Sequence, residues 1–545
     1  MLVTSFKRSV AYFYSMKSIL STIFIFISIV FHAQEITLHP INWPTLTGLQ
    51  SYTWGSVGED YIVMGGRLDG LHRRQPFASF DIAGHNTQIQ LLQPNNSNIV
   101  SINTSDFPME VQEQMHSTNA CFTQQGQYLI IAGGYGYSDV MGEHRTFNQL
   151  LVLDLVLLRN AILNGSNAAV SLVAQIVDDQ FAVTGGKLVK FNDTFYLTVG
   201  HRFDGKYNPI GPDHGPGFSQ QYTEAIRRFT LDNQWNLTWM NPWTDAQLLH
   251  RRDLNVLPSF SSQGQPECII YSGVFQQNAD IPFLNAVRVN ENGFNEIPNF
   301  AQYYNHYHCA TISMYDSIQH QNTHYFLGGI SHYYDSTGIL VQNNNVPFVK
   351  TVAKVVHAED GSVQEYVLPI QMPGYLGAGA EFLPLHNISH YDNDMIRRNS
   401  LEGDSVLIGY VYGGISSSAK NIFWSNEGNL SSAANIWLAV YFHPNEQTGI
   451  QNVQSSNGVQ LQVYPNPFSN EIHVQFSLSQ RSSESLQMNW YDQKGILLSS
   501  TEHAQLQLGK NEIVLKDKEH WVAGTYILEW KWGTQSIYQR VVFEP

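Results

Sequence analysis

Histidines, arginines and tyrosines recur at similar places in this sequence: just after an apolar run ends in glycine, and just before another apolar run begins. After the glycines come His72, Arg73 and Arg74 in RLDGLHRR, Tyr135 and Tyr137 in YGYSD, His201, Arg202, Asp204 and Tyr207 in HRFDGKYN, and His332 with Tyr333 in ISHYY. Before the following runs stand His116 in QMHS, Arg251 and Arg252 in LLHRRD, and His306 and His308 in NHYHC. Guanidinium groups fork hydrogen bonds onto carboxylates or hydroxyl pairs, and aromatic rings offer flat apolar faces with a polar tip. The set suits an anionic or sugar-like ligand. The competing reading is that these side chains only satisfy loop carbonyls.

Reactive chemistry is less well specified. Glu59, Glu143, Glu224 and Glu381 are carboxylates available for acid–base work, and nothing in the sequence selects one. His201 with Asp204, or Asp213 with His214, provides too few ligands at no diagnostic spacing for a metal. The Gly-Gly pairs lack the Gly-Lys-Ser/Thr and following helix of a phosphate loop. No cofactor and no metal is expected.

These residues hang on a repeat. Glycine-ended apolar runs recur as DYIVMGG, YLIIAGG, TFYLTVG, ECIIYSG, THYFLGG and VLIGYVYGG. From Gly65 through Gly133, Gly200, Gly273, Gly328 and Gly413 the intervals are 68, 67, 73, 55 and 85 residues. Self-similarity at a long period means stacked or radially arranged units. The second unit shows four strand-like stretches, STNACF, YLIIAGG, FNQLLVLDL and AAVSLVAQIV. With 12% aromatic and 14% charged residues, 41 Gly and 21 Pro, the chain reads as all-β and rich in turns.

The repeat resembles the kelch and galactose-oxidase type of β-propeller. The resemblance implies a six-bladed kelch-like propeller over residues 35–445, four strands to a blade, with the loops after second strands and the entrances to first strands opening on one face around a channel. It thereby gathers His72, Arg73, His116, Tyr135, Tyr137, His201, Arg202, Asp204, Arg252, His308 and His332 as ligand-binding candidates. The sixth unit stops after ANIWLAVYF, and EITLHPINW near the N-terminus is available to complete it. Seven blades is the alternative, with one hidden in the 85-residue interval; residues 384–404 there read as a long polar loop. The family's fourth-strand Trp is mostly missing, with Trp239 its best match. Tyr307-His308 matches the Tyr-His pair of the copper oxidases, but LQSYTWGSV has no cross-linking Cys, Met115-His116 stands where the cofactor Tyr would be, and GYLGAGAEF has no second His. The resemblance therefore does not carry copper over. No Ser-x-Asp-x-Gly-x-Thr-Trp box of a sialidase is present.

The two ends concern export. From Met16, MKSILSTIFIFISIVFHAQE has a basic start, an apolar stretch too short to span a bilayer comfortably and Ala33 near a cleavage point, so residues 1–34 read as a signal peptide. The net charge is −16, and removing residues 1–34 leaves 26 basic against 45 acidic residues, which disfavours nucleic acid. Cys121, Cys268 and Cys309 are too few for a disulfide scaffold and read as buried thiols.

At the other end, VQLQVYPNPFSNEIHVQFSL alternates apolar and polar residues on both sides of Pro465-Asn466-Pro467. Later stretches bring the total to six or seven short strands, the rhythm of a small Ig-like β-sandwich. YPNPF, YDQKG and AGTYIL, in that order, resemble the type A C-terminal sorting domain of the type IX (Por) secretion system of Bacteroidetes; Tyr464, Pro465, Asn466, Pro467, Gly495, Gly524 and Tyr526 carry the match. It implies recognition by the type IX machinery and a secreted or outer-membrane surface-attached product with no transmembrane anchor after processing. Residues 446–458 read as a linker between the propeller and the sorting domain at 459–545. The whole reads as a surface or secreted binding module for a carbohydrate or protein ligand. The alternative is an extracellular carbohydrate-active enzyme, mutarotase-like or oxidase-like, on the same scaffold.

Overall fold

The computed structural model describes residues 35–211, 217–336 and 339–444, and in the C-terminal region 461–464, 468–478, 485–491, 497–503, 507, 509–516, 522, 524–532 and 535–543. The expected signal peptide, the linker, Asp213, His214, Pro465, Asn466, Pro467 and Gly495 lie outside the described residues.

Each glycine-ended run is the second strand of an antiparallel sheet built on four strands. Sheet 1 runs Thr53–Val57, Asp60–Met64, Gln88–Gln93 and Asn98–Asn103, and sheet 2 runs Cys121–Gln125, Tyr128–Ala132, Gln149–Asp154 and Leu172–Val177. Sheet 3 has Lys187–Phe191, Thr194–Thr198, Ala225–Leu231 and Leu237–Trp239, and sheet 4 has Asn255–Phe260, Pro266–Tyr271, Ala286–Asn290 and Gly293–Glu296. Sheet 5 has Ala310–Asp316, Gln321–Leu327, Thr351–His357 and Val363–Gln371. Sheet 6 takes three strands from its own segment, Tyr375–Pro384, Val406–Ser417 and Trp437–Phe442. Its fourth comes from the other end: Ile36–Pro40 pairs antiparallel with the third strand, Ile36 opposite Phe442 and Pro40 opposite Leu438.

The second strands are continuously apolar because both of their faces are covered. In YLIIA, Leu129 and Ile131 pack with sheet 1, while Ile130 and Ala132 pack with sheet 3. Buried clusters of this kind lie between sheets 1 and 2, 2 and 3, 3 and 4, 4 and 5, 5 and 6, and again between 6 and 1.

Two circuits of backbone hydrogen bonds stitch the sheets together. In the first, the amide after each second strand donates to a carbonyl at the entrance of the next sheet: Gly66 to Ser117, Gly134 to Val183, Gly200 to Arg251, Gly273 to His306, Gly329 to Leu376 and Gly414 to Leu49, at 2.8–3.2 Å. Gly133 preceding this clasp has φ 66°, and a Cβ there would stand 2.0 Å from the Val183 carbonyl oxygen. Val199 and Ser272 hold the same left-handed position at φ 47° and 48° in sheets 3 and 4, which is why the sequence shows a single glycine there.

The second circuit closes on itself. Ser51 N–H donates to Gly379 O (2.8 Å), Gly379 to His308 (2.9 Å), His308 to Asp253 (3.2 Å), Asp253 to Gly185 (2.7 Å), Gly185 to Asn119 (3.1 Å) and Asn119 back to Ser51 (3.0 Å). Five of these residues stand immediately before a first strand. Gly379 sits inside one, where the register of Tyr375–Pro384 shifts.

Some elements were not expected. A helix, Leu155–Asn164, follows the third strand of sheet 2, capped by Asp154, whose Oδ1 accepts from Val156 N–H (2.9 Å) and Leu157 N–H (3.0 Å). Its Leu155, Leu158, Ala161 and Ile162 join the core between sheets 1 and 2. Within 384–404, Ile396–Arg397 pairs in parallel with Met314 and Tyr315 of sheet 5, so this stretch is not wholly loop. Cys121, Cys268 and Cys309 are buried and free.

In the C-terminal region the described strands form two sheets. One is ordered Leu461–Tyr464, Glu471–Leu478, Gly509–Lys516, and the other Leu497–His503, Leu486–Tyr491, Gly524–Trp532, Gln535–Phe543. They share a core including Ile472, Val474, Trp490, Leu528 and Val541. Tyr464 ends the first strand and Gly524 begins the sixth. The Tyr526 hydroxyl donates to Val522 O (2.7 Å) and accepts from its N–H (3.2 Å), tying Val522 to this strand.

Candidate ligand site at the central ring

The closed ring of amides surrounds a cavity to which every sheet contributes. Ser51, Asn119, Lys187, Asp253, His308 and Glu381 line it, one residue from each first strand or its entrance. His308 Nε2 lies 2.8 Å from Glu381 Oε1, and Trp54 donates its indole N–H to Glu381 Oε2 at 3.4 Å. Burial pushes the Glu381 carboxyl up, but the Lys187 ammonium, the His308 ring and the Trp54 bond outweigh it and hold it below its ordinary range. Lys187 stands 4.6 Å over the Phe122 ring and forms no ion pair within 4 Å among the described residues. The cavity therefore holds an ammonium, a carboxylate and an imidazole from three different sheets.

Arg252 stands at the mouth. Its Nη1 pairs with Asp253, and the guanidinium lies 5.2 Å from the Phe275 ring. Burial pulls this guanidinium down, but Asp253 and the hydroxyls of Tyr222, Tyr307 and Tyr207 raise it overall, so it stays charged. The same groups act on one another, since Arg252, Asp253, Tyr207 and Tyr222 all act on Tyr307. The Arg252 Nε is buried and has no hydrogen-bond partner among the described residues. A buried donor without a partner costs roughly 1–3 kcal/mol.

Of the candidate side chains, several converge here. His72 packs against Tyr207 (ring centroids 4.7 Å apart) and is pulled down to about 4 by burial. Tyr135 donates to Gly205 O at 2.8 Å and accepts from Tyr207 N–H at 3.2 Å, so it shapes the Tyr207 loop from beneath. His201, buried and held well below its usual range by that burial, shares a 2.7 Å hydrogen bond with Gln220 and feels the Arg252 charge. His308 lies at the ring itself.

Others have structural partners elsewhere. His116 caps the short helix Met109–Met115 and is hydrogen-bonded to Thr104 Oγ1 at 2.7 Å. Tyr137 packs its ring on His144 at 5.1 Å. Arg202 and Asp204 pair with each other at 2.7 Å, and Asp204 also accepts from Thr146 N–H. His332 is buried against Asn344 Oδ1 at 2.8 Å. Arg73 is exposed on the outer loop. Sequence reasoning missed Lys187 and Asp253 and had no ground for choosing Glu381. Their signal is positional: Asp253 follows Arg252 at the ring, and Lys187 follows the Gly185-Gly186 pair there.

Comparison with known proteins bears first on the C-terminal region. Residues 462–544 match the secretion system C-terminal sorting domain. The chain is exported by the type IX system to the extracellular space or the outer-membrane surface, and the sorting domain is the part the secretion machinery engages. No helix among the described residues is long and apolar enough to cross a membrane. No curated protein matches the sequence.

Among solved structures, the chain is similar to YjhT, at 10% identity over 72% of this chain and 99% of that one with a TM-score of 0.39. It is similar to a Lactobacillus plantarum protein, at 9% identity over 84% and 100% with a TM-score of 0.26. A third is the WD40 domain of SCAP from fission yeast, at 8% identity over 93% and 98% with a TM-score of 0.25.

Proposed function

We propose that this is a secreted or surface-displayed binding module whose ligand, carbohydrate or protein, docks at the mouth around Arg252. The partly exposed Arg252–Asp253 ion pair, with Tyr207, Tyr222 and Tyr307 close enough to act on its charge, carries the reading. A half-buried mouth of this kind favours a small polar ligand such as a sugar over a broad protein surface. In the same reading, residues 35–445 are a six-bladed kelch-like propeller. The closed circuit of six amides and the six cores between successive sheets support six blades over seven. Residues 1–34 are the signal peptide and 446–458 the linker. Residues 459–545 are an Ig-like sandwich that serves as the sorting signal.

The His308–Glu381 pair favours a second reading, an extracellular carbohydrate-active enzyme of the mutarotase-like kind. A carboxylate 2.8 Å from an imidazole, facing a cavity of about 20 Å³, is equipped to move a proton to or from a water or a single hydroxyl that reaches it. The two readings separate on a glycan array followed by turnover assays of each retained glycan. Binding without chemical change supports the module, and conversion supports the enzyme. Retention of every bound glycan after substitution at Arg252 and His308 contradicts both.

A further inference from the structure

Beyond the mouth, the loop face carries two large aromatic side chains with no core to fill. Trp424 is 66% exposed and Phe77 76% exposed. They sit on the loops 65–87 and 418–430, which join second to third strands in sheets 1 and 6. Singly exposed apolar side chains are common on folded proteins; what sets these two apart is how firmly their backbone is held.

Here it is held. The side chain of Asn426 is fully buried and donates to Leu71 O (2.8 Å) and His72 O (3.2 Å) while accepting from Gly428 N–H (3.1 Å). Arg74 N–H donates to Asn426 O at 3.0 Å, and Ser431 Oγ accepts from Leu71 N–H at 2.9 Å. Ile422 is buried in a cluster with Leu71, and Tyr307 of the mouth packs against that cluster. The Arg74 guanidinium lies 5.4 Å from the Trp424 ring centroid and donates to Trp424 O at 2.9 Å. On the other loop, Lys206 donates to Phe77 O at 2.6 Å. The platform is therefore rigid and continuous with the mouth through His72, whose ring touches Tyr207.

We propose that Trp424, with Arg74 beside it and Phe77 three residues along the loop from Arg74, is an outer subsite, and that the ligand is a glycan chain of several sugar units. One end occupies the mouth at Arg252, and a later unit stacks its apolar face on Trp424 while Arg74 bonds its hydroxyls. This rests on the carbohydrate reading of the mouth and extends it from a single sugar to a chain.

The test titrates the full exported chain by calorimetry with oligosaccharides of one to six units from the cellulose, xylan, chitin and starch series. For the series that binds, affinity is expected to rise about tenfold or more between the single sugar and the longer chains. Trp424→Ala is expected to remove that gain, about tenfold or 1.4 kcal/mol, while leaving single-sugar binding and the melting temperature unchanged. Phe77→Ala is a second variant on the same platform, expected to weaken only the longer chains.

Affinity independent of length, or Trp424→Ala matching the wild type at every length, overturns the outer subsite. If Arg252→Lys nonetheless weakens all lengths, the mouth reading survives that failure. Loss with Trp424→Ala but none with Arg252→Lys overturns the mouth reading and the extension built on it. Binding of no series at any length overturns both.

Discussion

The amide of Gly134 donates to the carbonyl of Val183 at 2.9 Å, joining sheet 2 to the entrance of sheet 3. That bond gives the glycine pair its purpose: the chain turns left-handed at Gly133 and presses its backbone against the neighbouring sheet. Gly133→Ala combines a left-handed backbone, about 1–2 kcal/mol, with overpacking against Val183, about 1–3 kcal/mol. Gly126 has φ 57° and open space around it, so Gly126→Ala is expected to cost only the first part. Urea denaturation of the two variants checks the contrast, and equal costs would contradict the clasp.

Acid is expected to destabilise the fold. His85 and His324 are pulled down to about 3, and His144 and His306 to about 4, in each case chiefly by burial. Because these folded-state values lie below the unfolded value of about 6.5, the unfolded chain binds protons first as pH falls. The stability these four neutral rings provide is complete above about pH 7 and drains between about 6.5 and 3. Urea midpoints measured from pH 8 down to 4 are expected to be level at first and then to fall, with proton uptake on unfolding.

Glu381→Gln separates binding from chemistry. The amide keeps the shape of the side chain but cannot take a proton from His308 or a sugar hydroxyl. If the protein is an enzyme, turnover is expected to drop by about 100-fold or more with little change in ligand affinity. Under the module reading, affinity alone is measured and stays within a few-fold of the wild type.

Export is expected to follow the C-terminal segment. Residues 446–545 fused behind a periplasm-directed reporter should carry it to the surface or medium of a type IX-competent host. Fractionation reads the result, and retention in the periplasm contradicts the role of the segment.

The architecture was legible where a backbone requirement forces a residue type. Second strands covered on both faces must be apolar, and the clasp that follows them needs left-handed backbone, so DYIVMGG and its relatives mark the sheets. The missing fourth strand after ANIWLAVYF likewise announced the pairing of Ile36–Pro40. Where a non-glycine tolerates the left-handed turn, as at Val199 and Ser272, the signal thins. The helix Leu155–Asn164 was missed because its apolar residues continue the strand LLVLD without a break.

The site was legible only in part, for a geometric reason. Loop position named Arg252, His72, His201 and His308, which the fold brings into one region, but it could not tell a side chain facing that region from one held against its own loop, as with His116, Arg202 and His332. Lys187 and Glu381 lie on first strands, where alternation alone does not reveal which face meets the cavity. Trp424 and Phe77 carry no repeat signal at all.

The account turns on Arg252 as the group that grips the ligand. Arg252→Lys keeps the charge beside Asp253 but loses the planar fork. The decisive measurement is calorimetric titration of the wild type and Arg252→Lys with the tightest glycan from the array, with melting temperatures recorded alongside. A loss of one charged hydrogen bond, about 1.5–3 kcal/mol, predicts at least a tenfold weaker complex at an unchanged melting temperature. Equal affinity in the two proteins would contradict it.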